Sequence, residues 1–538
     1  MDTGWTWRVT EGPARYATQL GFDHDDIGVR VSKIKILLLT NNDSDNVGDQ
    51  IIEASVISLI KGAMLNLGVP ADGYSISSRA AGIISKKYMD TRDPALLTNA
   101  RKAISGSDVL VFGGAPLFNY SYQNFYLKTI TTLELANEYG VPVIFSSIGV
   151  EKYSEKSAKS QQLKKALELP VVRQITTRDD IDSVRKYTES SGIPVAHVPD
   201  PAVFADLVFR KGGGGSPSPS SAPQDLSTNP AIDRNRAGRL LSSARRTVGS
   251  RLKAAAVRGR SALPARLSGH SSTVQADGGA PAASSAPAPG PKKPSGRRIG
   301  LVVTRAGIFK DNRIDFSEED QQNFWLDVIS RLKARGDDYK LFTTGHFADE
   351  VFLDNLVRTR GVPAKKVSFT INSPEELIAQ LSACDGVIAY RLHANITCFA
   401  YSIPSVGLSW NFKVPYFYDS VGYGHRAIAP ENWNASHVLA QLDLAMRDGV
   451  EKDHDDLMGV YRTLFEGLRD VVSSTGEEQP FTYEELRTSL PRYSGTSHSQ
   501  YQAKVRRKMR RTYETFKKKD LALADARDAL KELESKAG

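Results

Sequence analysis

Apolar runs of strand length alternate with stretches of helical period, and the alternation occurs twice. The first series reads KIKILLLT (33–40), a helix over about 49–67, SDVLVFGG (107–114), a helix around 131–139 and VPVIFSSIG (141–149). It continues with a helix near 158–168, VVRQITTRD (171–179), a helix near 181–190 and PVAHVPD (194–200). The second reads RRIGLVVTR (297–305), a helix over 318–334, YKLFTTG (339–345), a helix over 350–359, KVSFT (366–370), a helix over 374–382 and CDGVIAYRLH (384–393). Strands this uniformly apolar are buried on both faces, and strand–helix–strand repetition predicts parallel sheets covered by helices. The fold class expected is α/β, with two Rossmann-like domains facing a cleft. Ligands of such sheets bind just beyond the carboxyl ends of the strands.

Between the two series the pattern stops. GGGGSPSPSSAP (212–223) and DGGAPAASSAPAPGPKKP (277–294) are too poor in apolar side chains to bury a core. Between them, 236–260 has the spacing of a basic amphipathic helix, open to two readings: a solvated linker, or a segment that contacts anionic lipid or an acidic partner. The expected organisation is an N-terminal extension (1–32), a first Rossmann-like domain (33–210), a disordered basic linker (211–297), a second Rossmann-like domain (298–447) and a helical C-terminal extension (448–538). Within the last, 454–472 is expected to pack back on the first domain. The stretch 504–534 reads as a long charged helix in which Leu521, Leu523 and Leu530 provide only a weak coiled-coil seam.

Charge changes the picture by where it lies. The 538 residues carry a net +9, but Lys211–Arg298 holds +12 and Ala503–Lys519 holds +8, which leaves −11 for the rest. The predicted domains are therefore acidic and the basicity sits in linker and tail, which argues against nucleic acid as partner. The basic tail is a candidate for peripheral contact with anionic membrane at the inner face of the plasma membrane. Two cysteines cannot form a disulfide framework, no metal-ligand spacing is visible, and no apolar run approaches the ~20 residues of a membrane span. The N-terminus does not read as a signal peptide, so a cytoplasmic protein is expected.

Polar residues collect at the predicted strand ends. After the first strand, Asn46, Gly48 and Asp49 open a helix; they either cap it or receive a ligand anion or sugar hydroxyl at its N-terminus. Gly113 and Gly114 end a strand and run into Phe118 and Tyr120. Either the turn needs two small residues, or a ligand lies against the backbone and an aromatic ring stacks on a sugar. Arg391 and His393 follow the strand GVIAY, where a planar fork for anions and a proton-exchanging imidazole would share one cleft. Arg178 and Arg305 also end strands. Arg178 either serves the site or pairs with Asp179 or Asp182. Lys413 either contacts an anion or sits on a solvated loop, and His425 with Arg426 forms a further polar pair.

Four stretches in this order resemble the polysaccharide pyruvyl transferase family: NVGDQIIEAS (46–55), DVLVFGGAPLF (108–118), ITTRDDIDSVRKYTESSGIPVAHVPDPAVF (175–204) and YRLHANITCFAYSIPSVGLSWNFK (390–413). The likeness departs from the family's three glycines at Ala115. It implies a fold similar to the GT-B glycosyltransferases, and transfer of pyruvate from phosphoenolpyruvate onto two hydroxyls of one sugar in a cell-surface glycan, forming a cyclic ketal. It implies no cofactor beyond phosphoenolpyruvate as donor. By this resemblance His393 is the acid/base, Arg391 holds the donor, Arg178 is the first choice for a second donor clamp and Lys413 matches the family's later lysine, a donor contact. Arg305, placed by its strand end and not by the resemblance, is the reserve donor clamp. Asn46, Gly48, Asp49, Gly113, Gly114, Phe118 and Tyr120 are expected to bind the acceptor or line the cleft. A nucleotide-sugar glycosyltransferase and a non-catalytic scaffold are the alternatives.

Overall fold

The computed structural model describes residues 33–120, 125–210, 296–369, 371–473 and 475–537. The N-terminal extension, almost all of the predicted linker and its basic amphipathic stretch 236–260 lie outside them. Two six-stranded sheets, parallel throughout, form the frame. With β2 (Tyr74–Ala80), β6 (Val195–His197), β9 (Val367–Ser368) and β12 (Ala427–Ile428) at the edges, the first has the order β2-β1-β3-β4-β5-β6 and the second β12-β11-β10-β7-β8-β9. The strands that matter for the site are β1 (Ile34–Thr40), β3 (Val109–Gly113), β4 (Val143–Ile148), β5 (Val172–Thr177), β7 (Arg298–Val302), β8 (Asp338–Phe342), β10 (Gly386–Ala389) and β11 (Ser405–Leu408). In the first sheet the chain reverses its direction of growth between β1 and β3, in the second between β7 and β10. Those are the topological switch points where doubly wound sheets open a crevice.

The expected doubly wound α/β arrangement is what forms. β3 and β4 are buried along their whole length, as their unbroken apolar sequence requires. Three strands fall outside the expected series: β11 (SVGL), the two-residue β12 (AI) and β2. β2 (Tyr74–Ala80, YSISSRA) is an edge strand in which every second residue is exposed, so its polar positions hide it from a search for apolar runs.

Helix α1 (Val47–Asn66) is enclosed along most of its length. Asn46 caps it, its Oδ1 accepting from the Gly48 N–H at 3.2 Å. It packs against the helix Gly459–Val472 and, from the second domain, against the helices Pro374–Ser382 and Leu392–Ala400. One apolar layer therefore runs across both domains, from Ile51, Val56 and Leu59 of α1 to Leu377, Leu381 and Phe399 and on to Tyr461, Phe465 and Leu468. The helix Gly459–Val472, which follows the second domain in sequence, crosses back onto β4 and β5 of the first. The last helix, His498–Ala537, runs 40 residues, and its side chains from Tyr513 to Lys536 are exposed. Leu521, Leu523 and Leu530 are each at least half exposed and pack on nothing described.

The glycine turn after β3 answers to α1. A Cβ on Gly113 would lie 2.9 Å from Val56 Cγ1, and one on Gly114, where φ is +61°, would lie 2.4 Å from Ile52 Cγ2. Both glycines are required by close packing of the helix on the strand end, and Gly114 also by its left-handed backbone. Gly114→Ala is expected to destabilise the protein by about 2–4 kcal/mol, from overpacking plus the left-handed backbone. Urea denaturation checks this, and an unchanged midpoint would mean that the glycine serves something other than packing.

Candidate functional site

The carboxyl ends of the two sheets meet. Thr344, just beyond β8, accepts a hydrogen bond from the Val47 N–H at 2.7 Å. From the other side of the second switch point, the turn after β10 carries Arg391 and His393 into the first turn of the helix Leu392–Ala400. His393 lies flat against Gly48. A Cβ on Gly48 would stand 2.2–2.4 Å from His393 Cβ, Cγ and Nδ1, so only glycine admits the ring. Asn46 does two jobs there: its Oδ1 caps α1, and its Nδ2 lies 2.9 Å from His393 Nδ1. Taking the amide as donor makes Nδ1 the acceptor and places the ring proton on Nε2, which is buried with no hydrogen-bond partner among the described residues.

Around this contact lies a cluster of charge. Burial pushes the His393 imidazolium down to about 3; Asp200 pulls the other way, while Arg178, Lys413 and Arg391 add to the fall. The ring is therefore neutral at physiological pH. Unfolding frees a histidine that takes up its proton near the ordinary 6.5, so between pH 6.5 and about 3 the unfolded chain binds more protons. This residue's contribution to stability is present above pH 6.5 and lost as pH falls through that window.

Arg391 is fixed by a two-point bond: Nε and one Nη donate to the two oxygens of buried Asp349, Nε at 2.7 Å. Asp349 also accepts from the Arg305 backbone N–H at 2.9 Å, which ties the end of β7 to the same carboxylate. Arg178, at the end of β5, is buried and pairs with Asp200, whose Oδ1 caps the following turn at the Ala202 N–H. Burial works against its charge, but Asp200, Asp179 and Asp49 outweigh that and raise its proton affinity. Lys413 opens the helix Lys413–Ser420. Burial pushes its ammonium below the ordinary value against the pull of Asp179 and Asp49. Burial raises the carboxyls of Asp49 and Asp179 in turn, partly offset for Asp49 by hydrogen bonds from Ser44 and Asn41. Several hydroxyls at these strand ends, on Thr40, Ser146, Thr344 and Ser409, are buried and unpartnered within the described residues.

The structure thus brings together Asn46, Gly48, Asp49, Arg178, Arg391, His393 and Lys413. The remaining expectations are corrected. Phe118 is fully buried, edge-on to Phe145 and Tyr187, and offers no face to a sugar. Tyr120 is nearly as buried and its hydroxyl donates to the Lys152 carbonyl. Gly113 and Gly114 face α1, and the Ala115 methyl is a core group. The Arg305 side chain pairs with Asp311, and its backbone N–H donates to Asp349. Arg178 pairs with Asp200 instead of Asp182. Arg426 lies over the Tyr423 ring and donates to the Gly449 carbonyl at 2.6 Å, so the His425–Arg426 pair is structural. Asp349 and Asp200 were missed as partners, and the sequence signal for each was only a carboxylate at the start of a helical turn.

Replacing Asp200 by Asn keeps the cap on Ala202 and removes the charge opposite Arg178. Leaving that guanidinium buried without its closest partner is expected to cost about 3–5 kcal/mol, read as a lower denaturation midpoint. An unchanged midpoint would show that Asp49 and Asp179 suffice.

Among the described residues, no group of three or more His, Cys, Asp or Glu side chains is arranged to hold a metal ion, and no helix is long and apolar enough to cross a membrane. No curated protein sequence matches the chain. Among solved structures it is similar to the UDP-GlcNAc 2-epimerase of Methanocaldococcus jannaschii in complex with UDP-GlcNAc and UDP, at 10% identity and TM-score 0.39, covering 80% of this chain and 97% of that one. It is also similar to the Neisseria meningitidis UDP-GlcNAc 2-epimerase bound to UDP-GlcNAc, at 9% identity and TM-score 0.43, covering 81% and 100%. A third is the E. coli ADP-heptose LPS heptosyltransferase II, at 11% identity and TM-score 0.34, covering 77% and 99%. The family model for polysaccharide pyruvyl transferase matches residues 46–237 and 235–411, a span that includes every member of the cluster except Lys413. The chain belongs to the polysaccharide pyruvyl transferase family.

Proposed function

We propose that the protein transfers pyruvate from phosphoenolpyruvate to two hydroxyls of one sugar, as a cyclic ketal on a cell-surface glycan. The observation that carries this reading is the seating of His393 against Gly48 and Asn46, with Arg391 and Lys413 close by. The donor is an enol phosphate bearing a carboxylate. Its two anionic groups call for two cations, assigned here to Arg391, held in place by Asp349, and to Lys413, which has no ion pair among the described residues.

The chemistry runs in two additions. A proton goes to the methylene carbon, the central carbon becomes electrophilic, and the first sugar hydroxyl adds there and gives up its proton. The second hydroxyl then displaces inorganic phosphate, closing the ketal and releasing a second proton. His393 is neutral before the donor arrives, so it is ready to accept a proton from a hydroxyl. A bound dianionic donor beside the ring raises its proton affinity, which lets the same imidazole carry the proton needed at the methylene carbon.

Calorimetric titration with phosphoenolpyruvate tests this. Saturable binding by the wild type is expected, weakened at least about tenfold in Arg391→Ala, the loss of a charge-assisted contact. UDP-sugars run alongside are expected not to bind. Clear binding of a UDP-sugar with none of phosphoenolpyruvate would replace this reading by a nucleotide-sugar glycosyltransferase.

A further inference from the structure

A second polar cavity, of about 330 Å³, lies on the side of α1 turned toward the C-terminal helix. Its walls come from three parts of the chain: Asn42, Gln50 and Glu53 of the first domain, Asn372 of the second, and Lys504 and Arg507 of the helix His498–Ala537. Its size is at the lower end of small-molecule sites. The helix is held over it from both domains. Lys508 pairs with Glu350, the Tyr501 hydroxyl accepts from Asn372 Nδ2 at 3.3 Å, and Arg511 reaches Asp45 at 3.2 Å.

Lys504 is the anomaly of this cavity. It is 3% exposed, and its Nζ is buried with no hydrogen-bond partner among the described residues. Asp45 is taken by Arg511, Asp49 is bonded to Ser44 and Asn41, and neither forms an ion pair with Lys504. Glu53, on the opposite wall, is engaged by Asn42 Nδ2 at 2.9 Å and by the Ser78 hydroxyl. Burial pushes the Lys504 ammonium down to about 7; Asp49 and Asp45 pull it back up, and Lys508 and Arg507 press it lower. A buried ammonium without a partner is costly, and an anion is what would satisfy it. Asn372, 5% exposed, has a buried Oδ1 that is likewise unpartnered and suits a ligand hydroxyl. Arg507, one turn on and exposed, supplies a second cation at the rim.

We infer that this cavity is a binding site, separate from the Arg391–His393 cluster, for a small phosphate monoester with hydroxyl groups: Lys504 and Arg507 hold the phosphate, and Asn372 with the amide of Gln50 holds the hydroxyls. A ligand there bridges both domains and the C-terminal helix, so its binding stabilises their joint arrangement.

The test uses ribose 5-phosphate, inorganic phosphate and plain ribose as probes, by calorimetry and thermal unfolding. Ribose 5-phosphate is expected to bind the full-length protein saturably and raise its Tm, inorganic phosphate more weakly, and ribose not at all. Lys504→Met removes a buried unpaired charge at similar volume, so without ligand its Tm stays level or rises. It is expected to lose at least about tenfold in affinity for ribose 5-phosphate. Arg391→Ala is expected to keep that affinity, which separates this site from the transferase cluster and makes its failure independent of the proposed activity. Equal binding by Lys504→Met, loss in Arg391→Ala instead, or no Tm rise in the wild type at millimolar ribose 5-phosphate would each overturn the inference.

Discussion

One close contact organises the molecule: the imidazole of His393 lying on the backbone of Gly48. It is the point where a turn after β1 of one domain and a turn after β10 of the other come within van der Waals reach, and it has room for a hydrogen at that Cα and nothing larger. Asn46 is drawn into the same contact, capping α1 with its oxygen and meeting the imidazole with its amide nitrogen. The approach also explains the state of the ring. Covered by α1 and ringed by three cations, it holds no proton at neutrality.

The second constraint is charge balance in a place from which water is largely excluded. Arg178, Arg391 and Lys413 sit with Asp49, Asp179, Asp200 and Asp349, and the pairs Arg178–Asp200 and Arg391–Asp349 cross from one strand end or helix start to another. Such pairs are poor sources of net stability, because desolvation offsets most of the attraction, but they fix geometry strictly. Two of the three cations are thereby held rigid. Lys413, without an ion pair among the described residues, is left with burial working against its charge, the condition in which an arriving anion is most welcome.

Much of the frame was legible because it rests on local pattern. The central strands β1, β3, β4, β7 and β10 are apolar runs largely buried on two faces, and the helix Pro374–Ser382 announces itself with Ser373 as cap, Pro374 at its first position and acids in its first turn. β2 was not legible, since an edge strand with alternating polar residues resembles a loop. In the site, Arg391 and His393 were found because a strand end places them, whereas Arg178's partner Asp200 lies 22 residues further on and depends on β5 and the turn at Pro201 converging. Phe118 and Tyr120 were misread for a related reason. A sequence shows that aromatic residues follow a glycine turn, but whether the rings face a crevice or a core depends on Phe145 and Tyr187, which come from other elements. Lys504 is legible only as one of nine basic residues in a charged stretch, and nothing local marks it as the one that is buried.

The claim that the two domains build the site jointly rests on His393 being sealed by Gly48. Its most direct test is the NMR titration of the His393 ring in the wild type and in Gly48→Ala, with His393→Gln to assign the resonance. A methyl group at position 48 collides with the ring and holds the domains apart. The account predicts a wild-type imidazole that stays neutral well below pH 5, and one in Gly48→Ala that titrates near the ordinary value of about 6.5. The same low value in both proteins would mean that the ring is protected without the first domain, and the account of a site completed at this contact would fail.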